Sequence, residues 1–116
     1  MDRKVLIGIV SDVSGMETLL NNLVEADFNE KDISVIMQDQ KKARAYAKDT
    51  GPLKGVSLDR LDIKLHQLHI PQEKISKYTE MLKKDAALIA ITVDAEAQDA
   101  AEEMLRDYFI QQIEIV

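Results

Sequence analysis

Two stretches of the chain carry the same pattern of hydrophobic and polar positions. Residues 5–36 begin with the aliphatic run VLIGIV and residues 87–116 with ALIAITV, and in both a helix-periodic stretch and a second short aliphatic run follow. Shifting the first copy by 82 positions places Leu6 on Leu88, Ile7 on Ile89 and Ile9 on Ile91, and also Asp12 on Asp94 and Gly8 on Ala90. Each copy therefore predicts a strand–helix–strand unit.

The same pattern, together with capping residues and helix breakers, predicts the limits of the elements. We expect strands over residues 4–10, 33–37, 87–93 and 113–116. The first repeat helix is expected to begin with the capping box Ser14-Gly15-Met16-Glu17, and the second to span residues 95–109 with Asp94 as its cap. Between the repeats, Asp39 is expected to cap a helix over 40–48, and Pro71 to be the first residue of a helix to 84. A helix after Ser57 is also expected, although the pattern leaves the helicity of residues 53–70 open.

Two such units indicate the α+β class. The prediction is a ferredoxin-like β-α-β…β-α-β sandwich with an antiparallel four-stranded sheet and extra helices inserted between the repeats. A length of 116 residues fits one domain, which we divide into repeat one (4–38), a helical insert (39–85) and repeat two (86–116).

The first and third strands are nearly continuous aliphatic runs, without the alternation of a strand that has one wet face. Such runs are typical of strands buried on both faces. Because the two repeat helices can cover only one face of the sheet, the other face must be covered by the insert, by a second copy of the chain, or by both. A homodimer is therefore one expected outcome.

Composition indicates a cytoplasmic protein. Hydrophobic residues make up 46% and charged residues 31% of the chain, and there is no cysteine. The opening MDRKVLIGIVSD has too short an apolar run for a signal peptide, and no stretch approaches the roughly 18 uncharged residues of a membrane span. We expect no association with membranes.

Charge divides the chain into three parts. Residues 1–40 hold 3 Lys/Arg against 8 Asp/Glu, residues 41–84 hold 11 against 5, and residues 85–116 hold 1 against 8, which gives net charges of −5, +6 and −7. The favoured interpretation is that the basic insert lies against the acidic repeats of its own or a neighbouring copy. The alternative is that it recruits a protein partner or a polyanion.

The two histidines raise the question of a metal site. If residues 57–69 are helical, Asp59, Asp62, His66 and His69 fall on one band of the helix, at a spacing that can hold zinc. A polar helix edge with a weak Asp62–His66 pair explains the same residues, and Pro71 disfavours helix near His69. The polar edge is the favoured interpretation, so no metal ligand is assigned.

The loop Ser11-Asp12-Val13-Ser14-Gly15 precedes a helix, where an anion could bind. It has one glycine, no lysine and an intruding carboxylate, so helix capping by Ser14 is the favoured explanation.

Nucleic-acid binding is disfavoured. RNA-recognition modules of this topology stack bases on aromatic residues of the central strands, and here all five aromatic residues fall on predicted helices. Nonspecific contact through Lys41, Lys42, Arg44 and Lys48 stays open.

No catalytic, cofactor-binding or metal-binding residue is assigned, and no cofactor is expected. The acids Glu96, Asp99, Glu102, Glu103 and Asp107 have the pattern of a solvated helix face. No serine, lysine or tyrosine lies in a motif that would activate it, so we expect that the protein is not an enzyme.

Three segments resemble a bacterial family of general stress proteins, the heat-induced stress protein (YflT-like) domain. They are the opening strand and helix followed by FNEKDISVIMQD, then ARAYAKDTG, and then IPQEKISKYTEMLKKDAALIAITVD. Many relatives carry a glycine- and alanine-rich hydrophobic insertion where this chain has GPLKGVSLDRLDIKLHQLHI. The resemblance implies an association with stress responses, and it implies neither an enzymatic activity nor a set of functional residues.

The leading functional hypothesis is a non-enzymatic, stress-associated interaction or regulatory module that self-associates, a dimer being favoured. The alternative is a regulatory domain that senses a small ligand (an amino acid, a nucleotide or a metal ion) at a subunit interface, with residues 12–15 at the edge of the site. A small dimeric ferredoxin-like enzyme comes last, because the central strands offer almost no polar groups to a cavity.

Overall fold

The structure is a computed structural model, and it describes residues 3–11, 13–108 and 114–115. Four segments of strand and five α-helices follow one another along the chain. They are β1 (Arg3–Val10), α1 (Met16–Glu25), β2 (Ile33–Met37), α2 (Gln40–Tyr46), α3 (Leu61–Gln67), α4 (Gln72–Leu82), β3 (Ala87–Asp94), α5 (Gln98–Arg106) and β4 (Glu114–Ile115). The protein therefore belongs to the predicted α+β class.

β3 lies between β2 and β1 in the sheet, and all three strands are antiparallel. Leu6 pairs with Ile91 and Ile9 with Leu88 between the two central strands. β4 pairs antiparallel with β1 over two residues, Ile115 opposite Leu6 and Glu114 opposite Ile7. Most of the predicted strand over 113–116 lies outside the described residues, so the four-stranded ferredoxin-like sheet stays a prediction.

The strands begin and end within one residue of their predicted limits for β1, β2 and β3, whereas the repeat helices begin later than predicted. A 3₁₀ turn at Val13–Gly15 precedes α1, whose N-cap is Gly15, a residue without a side chain. A second 3₁₀ turn at Ala95–Ala97 precedes α5; Asp94 is the N-cap of that turn without a side-chain capping hydrogen bond, and its carboxylate pairs with Arg3 at 3.5 Å. The predicted caps at Ser14 and Asp94 are therefore wrong for α1 and α5.

The insert follows its capping signals more closely. The Asp39 side chain accepts hydrogen bonds from the backbone N–H groups of Lys41 and Lys42 at the start of α2, as predicted. Residues 53–70 are helical only in part, as a 3₁₀ turn (Leu58–Arg60) followed by α3. Pro71 is the N-cap of α4 and not its first residue, since its ψ of 143° is extended.

Both faces of the sheet are covered within the chain. On one face, Leu6 and Ile89 of the central strands share a buried cluster with Leu19, Leu23 and Leu105 of the repeat helices. On the other face, the buried cluster joins strand residues with the insert: Ile7, Ile9, Leu88 and Ala90 pack with Leu53, Leu61, Leu65, Ile75, Tyr78 and Leu82. The prediction that the central strands are buried on both faces is confirmed, and the insert supplies the second cover. The bare sheet face that favoured a dimer is therefore absent from the described residues.

The strands of the two repeats and the helices of the two repeats do not superpose with the same shift along the sequence. The shift of 82 positions carries the 3₁₀ turn Val13–Gly15 onto Ala95–Ala97, and Leu23 onto Leu105. The same shift carries Leu6 onto Leu88, although these two side chains belong to clusters on opposite faces of the sheet. Because side chains alternate between faces along a strand, the strands superpose only with an odd shift, so the shift of 82 that suits the helices does not suit the strands. Residues 11–15 connect β1 with α1, whereas the shorter segment 95–97 connects β3 with α5.

No helix in the described part of the chain is long and apolar enough to cross a lipid bilayer.

Candidate functional site

A groove lies where α1, the start of β2 and the end of α2 meet, and its volume is about 180 Å³. We call it the α1–α2 groove. Its apolar lining consists of Leu20, Val24, Ile33, Tyr46 and Ala47, and its polar lining of Asn21, Glu30, Lys31, Lys48 and Thr50. The groove therefore joins an apolar surface to a polar rim within one depression.

The first wall comes from α1 and the turn after it. Leu20 lies one helical turn before Val24, so both project to the same side of the helix. Leu20 is 9% exposed, whereas Val24 is 48% exposed and leaves its side chain available at the groove. The chain then reverses through Asp27, which has a φ of 70°, into the 3₁₀ turn Glu30–Asp32, and that turn is capped by Asn29.

The second wall is a segment that we call the strap, residues 47–53, which runs from the end of α2 along β2. The Thr50 hydroxyl lies within hydrogen-bond distance of the carbonyl oxygens of Ile33 (3.0 Å), Glu30 (3.2 Å) and Lys48 (3.4 Å), and donates its one proton to one of them at a time. The Ser34 hydroxyl donates to the Thr50 carbonyl oxygen at 2.6 Å and accepts from the Leu53 N–H at 2.9 Å. These bonds fasten the strap to β2, and with it one side of the groove.

The polar lining carries more positive than negative groups. Lys31 and Lys48 are both exposed, and neither takes part in an ion pair among the described residues. Glu30 is the carboxylate of the lining. A site of this kind can hold an apolar body and a negatively charged group at the same time.

The residues considered for a metal site are not brought together. Asp59 lies in the 3₁₀ turn before α3, Asp62 and His66 lie on α3, and all three are exposed. The Asp62 carboxylate accepts a hydrogen bond from the Ile63 N–H at 2.9 Å, and His69 is exposed with a φ of 66°. The described residues contain no group of three or more His, Cys, Asp or Glu that could hold a metal ion.

The loop before α1 can be followed only in part, because Asp12 lies outside the described residues. Val13–Gly15 form the 3₁₀ turn, and a Cβ atom built on Gly15 would lie 3.7 Å from the Tyr108 ring. The role of this loop at the edge of a ligand site stays a prediction.

The basic residues of α2 and the acidic residues of α5 are solvated. Lys41, Lys42 and Arg44 are exposed, and Arg44 pairs with Asp49 at 3.5 Å. On α5, Glu102 is half-buried beside Arg106 at 3.9 Å, while Glu96, Asp99, Glu103 and Asp107 are exposed in and around the helix. The predicted solvated face of α5 is confirmed.

Sequence reasoning missed the α1–α2 groove. Its walls come from three segments that only the fold brings together, and no motif marks any of them. Val24 recurs at helical spacing with Leu20 and Leu23, so the pattern alone places it inward, yet its side chain is 48% exposed. The sequence offers one signal for the groove. Lys31 and Lys48 carry positive charge, whereas the preceding helix α1 is acidic.

A scan against models of known protein families and searches of characterised proteins and of solved structures find no match to the chain. The resemblance to general stress proteins therefore stays a prediction.

Proposed function

We propose that the protein is a non-enzymatic binding module that takes a small ligand in the α1–α2 groove. The observation that supports this function is a depression with an apolar lining on one side, anchored polar segments on the other, and an exposed valine at its mouth. Pockets that bind small molecules combine apolar walls with a few polar groups in this way.

The size of the groove limits the ligand. At about 30 Å³ per water molecule, 180 Å³ holds about six waters. That is below the roughly 300 Å³ at which pockets for drug-sized molecules begin. We therefore propose a ligand about as large as an amino acid, which agrees with the sensor hypothesis in size but places the site within one chain.

The groove is tested by closing it. In the variant Val24→Trp the indole covers the apolar lining, and in the matched control Ile63→Trp the same side chain replaces the other large hydrophobic residue that is exposed among the described positions. We would screen a library of small fragments by two-dimensional NMR against the wild-type protein and both variants. We expect hits whose shifts map to residues 20–33 and 46–50, and we expect them to bind the wild-type protein and the control but not Val24→Trp.

Two outcomes contradict the proposal. The first is a library without a single hit in the groove at millimolar concentrations. The second is a set of groove hits that bind Val24→Trp as well as they bind the wild-type protein.

A second function, a self-associating interaction module, is supported by the distribution of charge between the two layers. Residues 13–32 and 95–108, around α1 and α5, each hold 1 Lys/Arg against 5 Asp/Glu. Residues 53–86, which cover the opposite face of the sheet, hold 7 Lys/Arg against 5 Asp/Glu. An acidic layer of one copy facing the basic layer of another would make a head-to-tail contact, which forms rings or filaments.

Sedimentation velocity at 20 mM and 500 mM NaCl tests this second function. Contacts between exposed charges weaken when salt shortens the Debye length from roughly 20 Å to under 5 Å, so we expect oligomers at low salt that dissociate at high salt. A monomer at both salt concentrations excludes it.

The assignment of the sheet as a four-stranded ferredoxin-like sheet is a proposal as well. The order β2-β3-β1 and the two residue pairs between β1 and β4 support a ferredoxin-like sheet of four strands. Slow amide exchange across residues 113–116 would support it, and fast exchange along that whole segment would contradict it. The stress-associated and cytoplasmic roles are proposed from the resemblance and the composition alone.

A further inference from the structure

We infer that the α1–α2 groove selects a small monocarboxylate with an apolar body, such as an aryl- or alkyl-carboxylic acid. This inference rests on the proposed function and adds the chemical class of the ligand.

The apolar half of the ligand follows from the side chains that the fold leaves uncovered. Val24 is 48% exposed, and Tyr46 and Ala47 are half-buried at the same groove. A bound hydrocarbon or aromatic group would remove this surface from water, which is favourable in proportion to the area covered.

The carboxylate of the ligand is inferred from two lysines, Lys31 and Lys48, whose backbones both lie near the Thr50 hydroxyl. The Thr50 hydroxyl lies within 3.2 Å of the Glu30 carbonyl oxygen and within 3.4 Å of the Lys48 carbonyl oxygen. Because Lys31 is the residue after Glu30, the backbones of Lys31 and Lys48 are neighbours although 17 positions separate them in the sequence (48 minus 31). Both ammonium groups can therefore approach the same negatively charged group.

The charge balance of the rim favours one negative charge over two. Lys31 and Lys48 face a single lining carboxylate, Glu30, which leaves a net charge of +1 on the rim. A dianion would carry more negative charge than the rim can compensate, whereas a monocarboxylate matches the single positive charge that the rim leaves uncompensated.

Three probes with the same benzyl group and end groups of different charge test the inference. We would titrate the protein with phenylacetate, phenylacetamide and phenethylamine in low salt and follow the amide shifts of residues 20–33 and 46–50. For ligands of about ten heavy atoms we expect dissociation constants on the order of 0.1–10 mM. We expect phenylacetate to bind at least about threefold more tightly than phenylacetamide, and the amine to bind most weakly.

A pair of double variants assigns the preference to the rim. In Lys31→Met/Lys48→Met the aliphatic stems remain while both charges are removed, and we expect phenylacetate and phenylacetamide to bind equally well. The control Lys41→Met/Lys42→Met removes two exposed charges from α2 outside the groove lining and should keep the preference. At 0.5 M NaCl the preference of the wild-type protein should shrink, because salt screens exposed charges.

The possible failures are distinguishable. If phenylacetamide binds as tightly as phenylacetate, or if the preference survives in Lys31→Met/Lys48→Met, the carboxylate inference is overturned while binding in the groove stands. If none of the three probes shifts an amide resonance of the groove, and the fragment library gives no groove hit either, both the carboxylate inference and the proposed function are wrong.

Discussion

Ser34 is the buried polar contact between the strap and the sheet. It is the one polar residue among the described positions that is buried, at 3% exposure, and its hydroxyl both donates and accepts a hydrogen bond. The N–H that it accepts from belongs to Leu53, whose side chain is fully buried in the cluster beneath the insert. One hydroxyl therefore connects β2 with the wall of the groove and with the second core.

Replacing Ser34 by Ala should lower the free energy of unfolding by about 1–3 kcal/mol, because the Leu53 N–H is then buried without a partner. Chemical denaturation with urea measures the change. The control Ser76→Ala removes an exposed hydroxyl and should change stability by less than about 0.5 kcal/mol. An equal effect in the two variants would contradict the role of Ser34.

Gly51 lies where the strap comes closest to β2. It has a φ of 82°, and a Cβ atom there would lie 2.5 Å from the Ser34 Oγ and 2.6 Å from the Ile33 carbonyl carbon. Gly55 has a similar φ of 77°, but a Cβ atom there would meet nothing within 4 Å. A substitution at Gly55 therefore tests the backbone conformation alone, whereas a substitution at Gly51 tests the backbone conformation and the close approach to β2 together.

We expect Gly55→Ala to lower the free energy of unfolding by about 1–2 kcal/mol, because a residue with a side chain disfavours the left-handed conformation. Gly51→Ala should cost at least about twice as much, since the strap must also move away from β2. Urea denaturation of both variants measures the difference. Equal losses of stability would show that the strap does not press against β2 at this point.

At the scale of elements, Asp39 begins α2 with a side-chain cap, and α2 in turn carries Tyr46 to the groove. We expect Asp39→Ala to cost about 1 kcal/mol, because two backbone N–H groups lose their acceptor, and Asp39→Asn to cost much less. The control Ser57→Ala changes an N-cap residue whose side chain makes no capping hydrogen bond, so stability should hardly change. Thermal unfolding followed by circular dichroism compares the three, and a large loss in Asp39→Asn would point to charge as the cause.

The elements also show why sequence reasoning succeeds in some places and fails in others. The strands were predictable because continuous aliphatic runs bounded by polar residues allow few other interpretations. The helix starts at Ser14 and Asp94 were not, because a capping motif does not distinguish an α-helix from a 3₁₀ turn that precedes it. The longer connection between β1 and α1 was hidden as well, since a repeat search weighs identities and ignores which face of the sheet a side chain occupies.

At the scale of the whole molecule, the insert is half of the hydrophobic core and not an appendage. The cover over the second face could be predicted, because buried central strands require one, but the choice between the insert and a second copy could not. That choice depends on whether leucines of α3 and α4 reach the sheet, and periodicity alone does not give distances between elements. The groove could not be predicted either, because its walls come from elements whose distances the sequence pattern does not give.

The equivalence of the two cores can be measured. Leu23→Ala opens a cavity beneath α1 and Leu65→Ala one beneath α3, and both residues are fully buried. We expect each variant to lose about 2–5 kcal/mol and to unfold in a single transition that circular dichroism and tyrosine fluorescence report alike. If Leu65→Ala instead melts the insert separately, with the circular dichroism and fluorescence transitions apart, the insert is an independent layer.

The strand order has a consequence for the newly made chain. β1 is synthesised before both strands that flank it in the sheet, β3 and β4. At about 5–20 residues per second, synthesis of the roughly 80 residues between β1 and β3 takes on the order of 4–16 s. Throughout that interval the apolar segment that becomes β1 has no native strand to pair with. Chaperones consequently have seconds in which to bind the nascent chain, far longer than for a protein that starts with a hairpin.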